Sequence, residues 1–309
     1  MKLLIGFLLV MLNVQASSDI FNGRLTKEGE HENVALLFFG AGKTCTGSII
    51  SHNTVLTAAH CLVKPSASHS FLNQTIDVLP FGGISNEEPI VLSEKFPIHA
   101  NVHPNYIQAY QSKDEMSEDM KYFIDDRYDI GVLVYENGTF SNIKPITISK
   151  NEIDYSKDFF AVGFGKYGTG NTTFSDFLDG LSGKEPFDLQ KREGTIMLDK
   201  KSSEAQPFFL VSENTNVGSP TRYAQILEGD SGGPLLDTNG SQVGIGTQSF
   251  RPPGEPTKEK ITYKGKEFEV NHVGESGLRS AFIPLAAPQI QEYLKFLQEE
   301  TPAEITFAD

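Results

Sequence analysis

The sequence predicts an all-β protein, and two observations carry that expectation. Along most of the chain, apolar residues come in runs of strand length broken by Gly, Pro, Asn and Asp, the pattern of short strands joined by turns. Only one stretch, residues 287–298, sets its apolar side chains at helical spacing, with Ile290, Tyr293, Leu294 and Leu297 on one face. Strands spaced this way belong to barrels and sandwiches.

The first residues form a leader. Met1-Lys2 is a short basic start, residues 3–12 are an almost continuous apolar run, and Val14-Gln15-Ala16 is a small-x-small site before Ser17. This is the form of a cleaved signal peptide over residues 1–16. The run is too short to span a bilayer, and no later segment has the ~18 uninterrupted apolar residues of a membrane helix. A secreted protein without a membrane partner is expected, extracellular or periplasmic according to its source. Strands are then predicted over residues 34–39, 46–50, 54–57, 130–135, 159–164, 208–211, 234–236 and 243–246. Three polar stretches, 108–126, 166–192 and 251–275, read as long surface loops. The helix at 287–298 is followed by a polar tail over 301–309.

With 309 residues, 39% of them hydrophobic and 22 of them Phe, the chain can bury a large core. A formal net charge of -14 excludes nucleic acid and anionic membranes as partners, because both need a basic face. An exported chain meets an oxidising compartment, so its two cysteines, Cys45 and Cys61, are expected to pair. Closing that loop is worth about 3 kcal/mol in the chain-entropy model. Asn73, Asn137, Asn171 and Asn239 stand in Asn-x-Ser/Thr sequons.

Three strings carry chemistry. Glu228-Gly229-Asp230-Ser231-Gly232-Gly233-Pro234-Leu235 surrounds one serine with glycines, which admit positive φ and close approach of another molecule to the main chain. Leu56-Thr57-Ala58-Ala59-His60-Cys61 sets a histidine beside a cysteine, and Tyr128-Asp129-Ile130-Gly131-Val132-Leu133-Val134 puts an acid at the head of an apolar strand. Serine needs a base to take its proton, histidine has the pKa for it, and an acid fixes the histidine tautomer. A zinc site needs three or four ligands, and no His/Cys spacing here supplies them. Neither a metal nor an organic cofactor is expected.

Together with Cys45-Thr46-Gly47-Ser48-Ile49-Ile50, these strings resemble the motifs of the chymotrypsin-like (trypsin-fold) serine proteases, in the order His, Asp, Ser. The resemblance implies two six-stranded antiparallel β-barrels with a C-terminal helix. It sets a peptidase domain at 20–300, with one barrel over about 20–149 and the other over about 150–286. It makes His60 the general base and acid, Asp129 the orienting acid and Ser231 the nucleophile, with the Gly229 and Ser231 amides as the oxyanion hole. Ile20 resembles the N-terminus that activation exposes, whose ammonium would pair with Asp230, leaving residues 17–19 as a short propeptide. Gln225 resembles the pocket floor, and Thr247, Gln248 and Ser249 the substrate-pairing strand.

Two departures stand out. Asp19 precedes Ile20 where most relatives have Arg or Lys, and the neutral Gln225 gives no charge partner to a basic substrate side chain. The resemblance implies a monomeric endopeptidase acting on proteins or peptides and open to a proteinaceous inhibitor. The alternative is a catalytically silent homologue that binds or regulates. An esterase with Gly-x-Ser-x-Gly would order its residues Ser, Asp, His, opposite to the order here.

Overall fold

The structure, a computed structural model, describes residues 20, 23–39, 43–63, 78–85, 88–111, 120–165, 190–213, 223–250, 253–263, 266–275 and 279–308. The expected leader over 1–16, the expected propeptide over 17–19, most of the 166–192 stretch, Asn73 and Asn171 lie outside the described residues.

In chain order, β1 (Arg24–Leu25), β2 (Val34–Phe39), β3 (Lys43–Ile49) and β4 (Thr54–Thr57) lead into a single-turn helix α1 (Ala59–Leu62). Then come β5 (Val78–Ser85), β6 (Glu88–Val91), β7 (His99–Val102), β8 (Ile107–Gln111), β9 (Met120–Ile124) and β10 (Gly131–Val134). The second half holds β11 (Phe159–Gly163), β12 (Arg192–Ile196), a short helix α2 (Lys200–Ala205), β13 (Leu210–Val211), β14 (Pro234–Leu236) and β15 (Gln242–Phe250). It closes with β16 (Pro253–Tyr263), β17 (Lys266–Glu275), β18 (Arg279–Pro284) and α3 (Pro288–Glu300).

These strands make two seven-stranded antiparallel sheets, ordered β6-β5-β2-β3-β4-β10-β7 and β1-β12-β11-β14-β15-β18-β13. The two-barrel, all-β architecture with a C-terminal helix is therefore what the chain builds, each sheet having one strand more than expected. The two-residue β1 accounts for one of them. It crosses over to pair with β12, Arg24 opposite Glu193, so the start of the chain belongs to the second sheet. Ile20 is likewise packed in the second core, with Phe159, Ile196 and Ala224.

The strands read as continuous apolar runs because both of their faces are buried. In β10, Leu133 points into the first barrel while Val132 and Val134 join a second cluster with Ile245, Ile283 and α3. In β2, Ala35 and Leu37 fill the first barrel, while Val34 and Leu36 meet Val162 and Phe164 of the second. Helix α3 starts at Pro288, where the missing N–H costs nothing. It buries Ile290, Tyr293, Leu294 and Leu297 across the junction of the sheets. His103 is a core residue, stacked on Tyr128 and tilted against Tyr293, and burial pushes its pKa down to about 4.

Three expectations are corrected. The tail, expected to be polar, is docked over residues 301–308: Ala303 and Ile305 are buried, and the Ala308 N–H donates to the Ile148 carbonyl at 2.8 Å. Its apolar residues alternate, as in a strand with one face inward. The 251–275 stretch is largely the antiparallel ribbon of β16 and β17, and most of 108–126 that is described is the ribbon of β8 and β9. Charged residues alternating with Ile, Tyr, Phe and Val masked the strand signal in the first of these.

Leu294 has no exposed surface, so Leu294→Ala should lower the unfolding free energy by about 2–5 kcal/mol in urea titrations, without shifting the secondary-structure signal of the native state.

Candidate active site

Asp129 follows a 3-10 turn, Asp126–Tyr128, at the entry to β10, and only 1% of its side chain is exposed. A buried carboxylate needs donors, and it has three. The His60 backbone N–H donates to Oδ1 at 2.8 Å, His60 Nδ1 lies 2.7 Å from Oδ2, and the Thr247 hydroxyl donates to that same Oδ2. A carboxylate on Nδ1 holds the proton there and leaves Nε2 as the basic nitrogen. The His60 side chain is 35% exposed, so the ring has one edge buried and one edge open.

Ser231 sits on a turn held from both barrels. Its carbonyl accepts from the Thr46 N–H at 2.8 Å, and the Thr46 hydroxyl donates to the Gly229 carbonyl at 2.9 Å. The Gly232 N–H donates to the Gly246 carbonyl at 2.7 Å. Gly229 and Gly232 take φ of 99° and 85°, the left-handed region. A Cβ on Gly232 would stand 2.0 Å from Thr57 Oγ1 and 2.3 Å from the Thr46 carbonyl oxygen, so no larger residue fits. The Cys45–Cys61 disulfide forms as expected and lies against this turn, with Cys61 Sγ 3.7 Å from the Ser231 carbonyl oxygen. Ser231 Oγ donates to the Thr247 carbonyl at 3.4 Å, so Thr247 borders both Ser231 and Asp129. Among the described residues, the Gly229 and Ser231 N–H groups have no hydrogen-bond partner within the chain.

Asp230, between them, points the other way and is buried against Gly163 and Gly165. A Cβ on either glycine would fall 2.2 Å or 2.5 Å from a carboxyl atom of Asp230. Its oxygens accept from the Gly165 N–H at 2.7 Å and the Leu227 N–H at 2.8 Å. Burial raises its pKa to about 7, against the pull of those two amides and of the Arg192 charge.

Residues 20–264 match the Trypsin family model. The chain belongs to the trypsin family. Its similarity to human kallikrein-8 is 28% identity over 232 residues, covering 74% of this chain and 75% of the relative. Snake venom serine protease 2 of Protobothrops jerdonii is 25% identical over 276 residues, covering 85% of this chain and 90% of the relative. Among solved structures, human heparin binding protein superposes with a TM-score of 0.52 at 13% identity, covering 92% of this chain and 99% of that one. A structure of GrC gives 0.53 at 16%, covering 91% and 100%. These two likenesses speak for the fold.

Of the substrate-binding residues expected in this trypsin-family chain, Gln225 is fully buried and locked. Its Oε1 accepts from the Ser212 hydroxyl at 2.6 Å and the Ser280 hydroxyl at 2.7 Å, and its Nε2 donates to the Glu213 carbonyl at 3.0 Å. Thr247, Gln248 and Ser249 lie on β15, with Gln248 exposed. Arg279 pairs with Asp199 at 2.8 Å. The three atoms Cys45 Sγ, His60 ring N and Cys61 Sγ lie within 4.8 Å of one another, but both sulfurs are consumed by the disulfide, so they are no metal site. Sequence reasoning placed Thr247 on the substrate strand and missed its bond to Asp129. It also missed Thr46, whose short polar side chain after a cysteine carries no distinguishing signal.

Two outcomes follow from this geometry. Gly232→Ala should cost well over the ~1–3 kcal/mol of a strained backbone alone, because the new methyl meets main chain, and thermal melting would show it. Asp230 binds its proton more tightly folded than unfolded, so stability should fall as pH rises from the ordinary carboxylate range to about 7. Urea midpoints across that interval should show a shallower fall in Asp230→Asn than in the wild type.

Proposed function

We propose that the chain is a secreted serine endopeptidase working through His60, Asp129 and Ser231. The observation that carries this reading is the buried carboxylate of Asp129, which holds His60 through Nδ1 while Thr247 links it to Ser231. Ser231 Oγ attacks the scissile carbonyl carbon, and its proton passes to His60 Nε2. The carbonyl oxygen takes the negative charge and is held by the Gly229 and Ser231 N–H groups. His60 then protonates the departing amine, the C–N bond breaks, and an acyl group remains on Ser231. Water repeats the sequence, giving its proton to His60 and releasing the acid. Asp129 stays ionised throughout and stabilises the imidazolium.

The substrates are proteins or peptides, and the enzyme acts as a monomer that a proteinaceous inhibitor can occlude. Among the described residues no helix is long and apolar enough to cross a membrane. The leader over 1–16 directs export, residues 17–19 form the propeptide, and the ammonium of Ile20 adds a positive charge for Asp230 once the chain is cut. At the pocket floor, Gln225 has both acceptor positions of Oε1 filled by serine hydroxyls, and being neutral it offers a basic side chain no counter-charge. Substrates with Arg or Lys before the scissile bond should gain no preference. One observation favours a silent homologue instead: Asp19 offers no basic residue for the usual activation cut.

Cleavage of a mixed peptide library, read by mass spectrometry, tests the reading. Products should appear with the wild type and vanish with Ser231→Ala, and Asp129→Asn should lower kcat by about four orders of magnitude. Equal product from wild type and Ser231→Ala would overturn it.

A further inference from the structure

Asp230 is the charge on which the Ser231 turn rests. It is buried, and its two hydrogen bonds, from the Leu227 N–H just before Gly229 and from the Gly165 N–H just past the end of β11, tie the turn to itself and to the second sheet. A carboxylate in such a place needs a counter-charge. The second barrel contains one. In β12, Arg192 stands directly opposite Gly163 of β11. Residues opposite each other in an antiparallel pair project to the same face, with Cβ positions about 5 Å apart. The face of Gly163 is the one that the Asp230 carboxyl covers, since Oδ1 lies 2.2 Å from where a Gly163 Cβ would be. Arg192 is only 5% exposed and donates from one guanidinium nitrogen to the Gln190 carbonyl at 3.1 Å. The adjacent Lys191 is engaged elsewhere, on the His31 carbonyl at 2.5 Å.

We infer that Arg192 is a resident counter-charge for Asp230, a positioning residue that keeps the Gly229 and Ser231 amides arranged in the chain before any cut at Ile20. The inference rests on the peptidase reading and adds to it how the site is held in the uncut chain. The electrostatics agree: the Arg192 charge opposes the rise that burial imposes on Asp230, and Asp230 in turn opposes the fall that burial imposes on Arg192. The seat of Ile20 fits as well. In the uncut chain Ile20 is already buried in the second core, at a φ of 55° that a β-branched residue rarely adopts. Asp19, which gives ordinary activating proteases nothing to recognise, is then no obstacle to activity.

The test compares two forms of the protein, with N-termini verified by sequencing. One starts at Ser17, and the other at Ile20 after a specific-protease site placed ahead of it has been cut. Each is made as wild type, Arg192→Gln and Arg192→Lys, and the rate of labelling by a fluorophosphonate is measured. The uncut wild type should label at a rate comparable to the cut form, and uncut Arg192→Lys should follow it. Uncut Arg192→Gln should label about a hundredfold more slowly, the scale on which loss of one oxyanion donor acts. Cutting should restore Arg192→Gln, because the new ammonium replaces the lost charge, and a merely structural defect would not be rescued this way. The inference is overturned if the uncut wild type is dark while the cut form labels, if uncut Arg192→Gln matches wild type, or if cutting fails to restore it. Should Arg192→Gln not fold, a hundredfold loss in uncut Arg192→Lys overturns it equally. A cut wild type that does not label sinks the peptidase reading, and this inference with it.

Discussion

The site depends on one carboxylate that has no access to water. Asp129 is enclosed where the two barrels meet, and an ionised group there is tolerable only if donors surround it. Two of its donors, the main-chain and ring N–H of His60, come from the first barrel, and the third, the Thr247 hydroxyl, comes from β15 of the second. Separating the barrels would strip the carboxylate of one partner and uncover the others. The packing of the two barrels and the orientation of the histidine are therefore the same constraint seen from two sides.

That packing is supplied by strands buried on both faces. Alternate residues of β2, β4 and β10 fill the first barrel, while the residues between them meet the second barrel or α3. The helix and the docked tail cover the seam with Ile290, Leu294, Ala303 and Ile305. The Cys45–Cys61 disulfide and Thr46 bring β3 and α1 against the Ser231 turn. Asp230 is a second buried acid facing into the second barrel, so one turn exposes a serine and anchors itself by the residue before it. Glycines on both sides of that pair follow from the crowding that this requires.

Much of the fold could be read in the sequence because these strands are continuous apolar runs. The bounds of β2, β4 and β14 coincide with the runs that predict them. What escaped were elements whose partners decide their conformation. The 108–126 and 251–275 stretches look like loops by polarity, yet each forms a ribbon whose strands pair chiefly with one another. The tail looked polar because its apolar residues are spaced by two, and only its bridge to Ile148 shows why. For the site, motif spacing singled out His60, Asp129 and Ser231, and the structure sets the first two in direct contact and ties Asp129 to Ser231 through Thr247. Thr247 and Arg192 lie outside those motifs, and Thr46 lies in the Cys45–Ile50 string without a role that the string reveals. Their roles are set by strand register, which no local pattern records.

The central claim is that Asp129 fixes the His60 ring with its proton on Nδ1, which leaves Nε2 as the basic nitrogen. Nitrogen NMR of the chain labelled at histidine, recorded above the histidine titration and assigned through His60→Gln, reads this directly. The account predicts an Nδ1–H tautomer for His60 that exchanges slowly with water and is lost in Asp129→Asn. A His60 ring that is protonated at Nε2, or that averages both tautomers in the wild type, would contradict it.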